Sequence, residues 1–119
     1  MKTLPIKEKL DRGEFVVGPF MKSRDPAMVE IVGLAGFDFA ILDMEHSALS
    51  IESVEDLIRM AGVRGIDSIV RVSEISESAI SGPLDAGANG VLVPHVDTKK
   101  QAEEVVFLSK FAPLGERGM

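Results

Sequence analysis

The residues of this sequence whose types and spacing could do chemistry are two histidines, an arginine and a group of carboxylates. Asp43-Met44-Glu45-His46 closes an apolar run and is the densest cluster. An imidazole beside carboxylates can have its tautomer fixed and its basicity raised, which suits a general base near neutral pH. The same four residues also read as a capped loop before a helix, with its acids in water. Arg71 ends a second apolar run. A guanidinium placed there can polarise a carbonyl and stabilise a developing enolate oxyanion, or it can pair with a nearby acid. His95 follows a further run and reads as a ligand or as a plain loop residue. Lys22 could form a Schiff base, but nothing around it suggests a desolvating pocket. Asp85 stands beside a glycine stop and reads, taken alone, as a helix-end carboxylate in water. The chain has no cysteine, which excludes disulfides, thiolate nucleophiles and cysteine-based zinc sites, and two histidines are too few for a His-rich metal site.

These residues must be positioned by an alternation of strand and helix patterns. Residues 3–12 predict a short amphipathic helix with Leu4, Ile6 and Leu10 apolar, ended by Gly13. Residues 15–20 predict a first strand. Asp25-Pro26 opens a helix, with Asp as N-cap and Pro at the first helical position. Val29, Val32 and Gly33 share a face of it, and Gly36 is its stop. Residues 37–42 predict a buried strand. Ser50 caps a helix whose stripe is Ile51, Val54, Leu57, Ile58 and Ala61, with Glu55 and Arg59 paired on the wet side. Ser68-Ile69-Val70 is a third strand. A third helix runs from Ser76 to near Gly87, with a kink or broken first turn expected at Gly82-Pro83. Residues 90–94 are the fourth strand. Thr98 to Gln101 is a capping box for a last helix, whose buried face is expected at Ala102, Val105, Val106 and Ser109.

Four βα units with short connections imply a parallel sheet with right-handed crossovers. A closed eightfold barrel takes about 250 residues, and this chain has 119. The expected fold class is therefore α/β: the N-terminal half of a TIM-barrel-like fold, with four βα units behind a leading helix, as one partial barrel domain over residues 1–119. In such folds chemistry gathers at the C-terminal ends of the strands. Met21, Lys22 and Ser23, then Asp43, Glu45 and His46, then Arg71, then Pro94, His95 and Asp97 fall there. The opposite ends are expected to hold mostly glycines and helix-terminating residues.

Hydrophobic residues make up 45% and charged residues 27%, as in an ordinary globular protein, and the net charge is −6. An acidic surface repels phosphate backbones, so nucleic acid is not an expected partner. Glu8 and Asp11 interrupt any apolar region after Lys2 and Lys7, no stretch approaches a membrane span, and a cytoplasmic location is expected.

With the motifs placed, the sequence resembles the HpcH/HpaI aldolase family. The carriers are Phe37 to His46, Val70-Arg71-Val72, Leu84-Asp85-Ala86-Gly87-Ala88 followed by Val91 to Pro94, Val96-Asp97-Thr98, and Pro113 to Gly118. Their order and spacing run over nearly the whole chain. The resemblance implies a class II aldolase on a (β/α)₈ barrel, using a divalent metal (Mg, Mn or Co) to bind pyruvate or its enolate and cleaving or forming a C–C bond reversibly. It implies that His46 is the acid/base residue, that Arg71 binds substrate and stabilises the enolate, and that Asp43 and Asp85 interact with the histidine and raise its basicity. On that reading Asp85 approaches the site rather than water. The family's metal ligands, a Glu and an Asp, lie on strands beyond the last matching motif, so no metal ligand is expected within these residues, and Ser81-Gly82-Pro83 departs from the more regular helix usual in the family. Four parallel strands leave two edges and an open inner face. A complementing C-terminal half or a further copy of the chain is the expected partner, with small 2-oxo acids and aldehydes as substrates. The alternative is a non-catalytic, truncated barrel module or assembly partner.

Overall fold

The computed structural model describes residues 5–119. The expected contribution of Leu4 to the first helix lies outside them. Helix α1 spans Ile6–Asp11, strand β1 Phe20–Met21, α2 Pro26–Leu34, β2 Phe39–Asp43, α3 Ile51–Arg64, β3 Asp67–Arg71, α4 Glu77–Asp85, β4 Gly90–Leu92 and α5 Lys99–Ser109. The four strands form one parallel sheet in chain order, β1-β2-β3-β4. This is the expected half-barrel arrangement, with β1 and β4 as its edges.

Helix boundaries follow the local chemistry. Asp25, Ser50, Ser76 and Thr98 each accept a hydrogen bond from a backbone N–H in the first turn of the following helix. The Thr98–Gln101 capping box is complete. Gly65 ends α3 in the left-handed conformation that only glycine adopts without strain. Pro83 falls in the last turns of α4, and the helix runs through it to Asp85 rather than breaking in its first turn.

Alternation along β2 and β3 separates two faces. Ala40, Leu42, Ser68 and Val70 are buried. They face Val29, Val32, Val54, Leu57, Ile58 and Ala61 in the hydrophobic core between sheet and helices. Ser68 is satisfied there, because its amide and hydroxyl both donate to Asn89 Oδ1. Ile51, expected in the α3 stripe, is instead exposed, since it opens the helix beside a cavity at the strand ends.

Expectations about the edge strands and the last helix are also corrected. The first strand pairs only over Phe20–Met21, and Phe15 is exposed. Val17 and Pro19 still accept single bonds from Asp38 and Ile41, so the segment follows β2 without building a regular ladder. β4 stops at Leu92 rather than Pro94. Helix α5 has no buried residue. Ala102 and Val106 are exposed, and Val105 and Leu108 are the residues that lean on the core. One flank of α5 meets α4, and Val106 and Phe107 remain exposed beside it.

The N-terminal ends of the strands carry more than glycines. Asp67 accepts a hydrogen bond from the Ile6 amide at 2.9 Å, and Asp38 pairs with Lys9 and accepts from the Val17 amide at 2.8 Å. These two acids fasten α1 across the bottom of the sheet. The Lys9 ammonium, hydrogen-bonded to Asp38, holds that carboxyl below its ordinary range.

Candidate active site

Asp43 and Arg71 are partners in the β2–β3 register, each the last residue of its strand. Neighbouring residues in a parallel ladder send their side chains to the same face about 5 Å apart. The guanidinium therefore meets the carboxylate in a fork: Arg71 Nη2 donates to Asp43 Oδ2 at 2.7 Å and Nε to Oδ1 at 3.1 Å. Asp43 Oδ1 also accepts from the amides of Glu45 at 2.9 Å and His46 at 3.1 Å. The Asp43 side chain is 0% exposed and the Arg71 side chain 21%. Its bond from Arg71, helped by the two amides, holds the Asp43 carboxyl far below the usual carboxylate range despite burial, and the same bond raises the Arg71 guanidinium.

Two consequences follow. The β2–α3 loop is wound around the Asp43 carboxylate, with Ser47 Oγ donating to the Asp43 carbonyl and accepting from the Leu49 amide. Arg71 is aimed by its own strand partner, with its Cζ 4.7 Å from the centroid of the Phe20 ring. The fork uses Nε and Nη2, so Nη1 has no hydrogen-bond partner among the described residues. The ion pair that the sequence allowed and a charge held ready for an oxyanion are thus compatible.

His46 lies at the open end of this cluster. Its Nε2 is 2.6 Å from Glu45 Oε1, and its backbone amide, not its imidazole, binds Asp43. The side-chain partner of His46 in this chain is therefore Glu45, in place of the expected Asp43 and Asp85. His95 arrives from beyond β4, with Nε2 3.8 Å from the same Glu45 oxygen. Asp85 is not brought to the cluster within the chain. It ends α4, which descends from the C-terminal end of β3 towards the start of β4, and there it binds Arg117 Nη2 at 2.9 Å and Nε at 3.2 Å. Lys22 is exposed past the end of β1.

Two participants escaped the sequence reading. Phe20 was legible only as a strand residue, although its place in the short β1, paired with Ile41, and its ring under the Arg71 guanidinium put it next to the site. Glu45 was recognised as part of the cluster but not as the partner of the imidazole. Adjacent side chains in a loop take their directions from the turn, which spacing does not reveal.

Among the described residues, no group of three or more His, Asp or Glu side chains converges to hold a metal ion. The described side chains do not by themselves fit the divalent cation that the family resemblance implies.

The parallel α/β sheet with a carboxylate–guanidinium fork and an imidazole at its C-terminal rim defines a segment of a barrel whose chemistry would sit at that rim. The chain belongs to the HpcH/HpaI aldolase/citrate lyase family, whose model matches residues 17–119. It is 35% identical over 117 residues to a 2-keto-3-deoxy-L-rhamnonate aldolase of Escherichia coli O17:K52:H18, covering 98% of this chain and 44% of that protein. A protein of the same description from Shigella sonnei is 34% identical over 117 residues, with the same coverage. Among solved structures, an HpcH/HpaI aldolase from Desulfitobacterium hafniense DCB-2 superposes with a TM-score of 0.92 at 34% identity, covering 98% of this chain and 46% of that one. The citrate synthase SbnG superposes with a TM-score of 0.92 at 38% identity, covering 98% and 48%. The chain thus spans less than half the length of the relatives it matches.

Proposed function

We propose that residues 1–119 form one partial barrel domain that supplies the acid/base and oxyanion-binding side of an aldolase site. The whole site would cleave 4-hydroxy-2-oxo acids reversibly to pyruvate, or a related 2-oxo acid, and an aldehyde. The observation that carries this reading is the Asp43–Arg71 fork at the end of paired strands, with His46 beside it. Arg71, aimed by Asp43 and with Nη1 unused, would bind the 2-oxo acid and stabilise its enolate oxyanion. His46, with a water, would move the proton between the 4-hydroxyl and the medium. Asp43 would hold Arg71 and the loop. Asp85 would join the site only through contacts that this chain does not make by itself. A divalent metal, Mg, Mn or Co, would be held by side chains outside these residues. A complementing C-terminal half or further copies of the chain would close the barrel. The acidic, cysteine-free composition suits a cytoplasmic protein, and no helix among the described residues is long and apolar enough to cross a membrane.

The test is pyruvate release from 4-hydroxy-2-oxo acids with each metal, for this chain alone and mixed with a C-terminal half from the family. Activity in the mixture that is lost in His46→Ala and Arg71→Ala is the expected result. Silence in a mixture whose halves are shown to associate would favour a non-catalytic barrel module.

A further inference from the structure

We infer that Glu45 is a positioning residue that orients two imidazoles at once, His46 from the β2 end and His95 from the β4 end, and thereby makes His95 part of the site. Three observations meet on this carboxylate. His46 Nε2 is 2.6 Å from Oε1, and His95 Nε2 is 3.8 Å from the same atom. The Glu45 side chain is only 11% exposed, while the two imidazoles are 62% and 83% exposed. Its other oxygen, Oε2, is buried with no hydrogen-bond partner in the protein.

A buried carboxylate oxygen without a donor costs stability. The fold therefore gains little by burying Glu45, and the gain must lie in what Oε1 holds. The placement is enforced from behind, since the Glu45 amide is pinned to Asp43 Oδ1. His95 supplies an independent sign. It is the only non-glycine residue with positive φ among the described residues, at 57°. A side chain held in that region stores strain, and such strain gathers where a residue's direction matters.

A carboxylate accepting from His46 Nε2–H fixes that tautomer and leaves Nδ1 as the unprotonated nitrogen, the atom able to take a proton. His95, too distant for a hydrogen bond, is held by charge alone and can serve as a second imidazole facing the same space. The catalytic meaning of this arrangement rests on the proposed role of His46, but its existence does not.

The test is side-chain nitrogen NMR of the full chain with ¹⁵N-labelled histidine, recorded once where the imidazoles are neutral and once where they are protonated. The wild-type protein should show His46 in the Nε2–H form with that proton protected from solvent. Glu45→Leu should release both imidazoles, bringing their signals to those of free histidine. Glu45→Gln keeps the shape and an acceptor oxygen, so it guards against a folding defect. It should preserve the His46 pattern of the neutral sample and release His95 in the protonated one. Imidazole signals unchanged from wild type in both variants would overturn the inference. Because nothing here requires turnover, an inactive enzyme with the expected spectra would refute only the aldolase reading.

Discussion

Replacing Asp43 by Asn isolates the electrostatics of the fork from its shape. The buried carboxylate accepts four hydrogen bonds, two of them from Arg71. The amide oxygen of Asn can still take the Glu45 and His46 amides, but its NH₂ group then faces Arg71 Nη2, donor against donor. A hydrogen bond to a charged partner contributes about 1.5–3 kcal/mol. Removing one member of a fully buried pair costs about 3–5 kcal/mol. Arg71 is 21% exposed, so water can recover part of the loss, and the expected destabilisation at pH 7 is about 2–3 kcal/mol. The pH dependence has a definite sign. Asp43 has a depressed folded pKa, so its stabilisation is complete above its unfolded pKa of about 3.9 and is lost as pH falls through the folded value. The difference between wild type and Asp43→Asn should be constant from neutral pH to about pH 5 and should shrink as the medium becomes more acidic than about pH 4. Asp38, also depressed, titrates in both proteins and cancels. Urea unfolding across that pH range measures the difference directly. A loss below about 0.5 kcal/mol at pH 7, within the range of an ordinary surface substitution, or a difference independent of acid would refute the reasoning.

Other consequences are more local. A Cβ added at Gly18 would lie 2.3 Å from the Phe39 carbonyl oxygen and 2.5 Å from the Phe39 ring. Gly18→Ala must therefore push the segment before β1 off β2 and strain the bonds that Val17 and Pro19 accept. The expected loss is about 2 kcal/mol in urea unfolding, and an unchanged midpoint would contradict the close approach. Thr98→Ala removes half of the α5 capping box, at a cost of about 1 kcal/mol. Because α5 has no fully buried residue, the loss should appear as faster amide exchange within that helix, with β2 and β3 unaffected.

How much of this was legible in advance depends on the range of the interaction that decides it. The helix starts at Asp25, Ser50, Ser76 and Thr98 were written in the sequence, because a cap is a contact between residues two or three apart. So were β2 and β3, whose apolar runs are long enough to specify strands, and the gathering of Asp43, His46, Arg71 and His95 at one end of the sheet. The places of the edge strands were legible too, but their extents were not. Gly90–Leu92 and Phe20–Met21 pair on one side only, and their length depends on what the neighbour offers rather than on their own residues. The buried face of α5 was misjudged for the same reason: helical spacing names an apolar stripe, but only the surroundings decide whether anything covers it.

In the site itself, the sequence determined which groups are present and that strand ends would hold them, because β pairing in register is set by the hydrophobic pattern. The tertiary structure decided who holds whom. Register turned Asp43 towards Arg71, the loop wound around its carboxylate gave His46 to Glu45, and the descent of α4 carried Asp85 to Arg117. These pairings join side chains whose directions are fixed by turns and by neighbouring strands. Spacing along the chain carries no record of those directions.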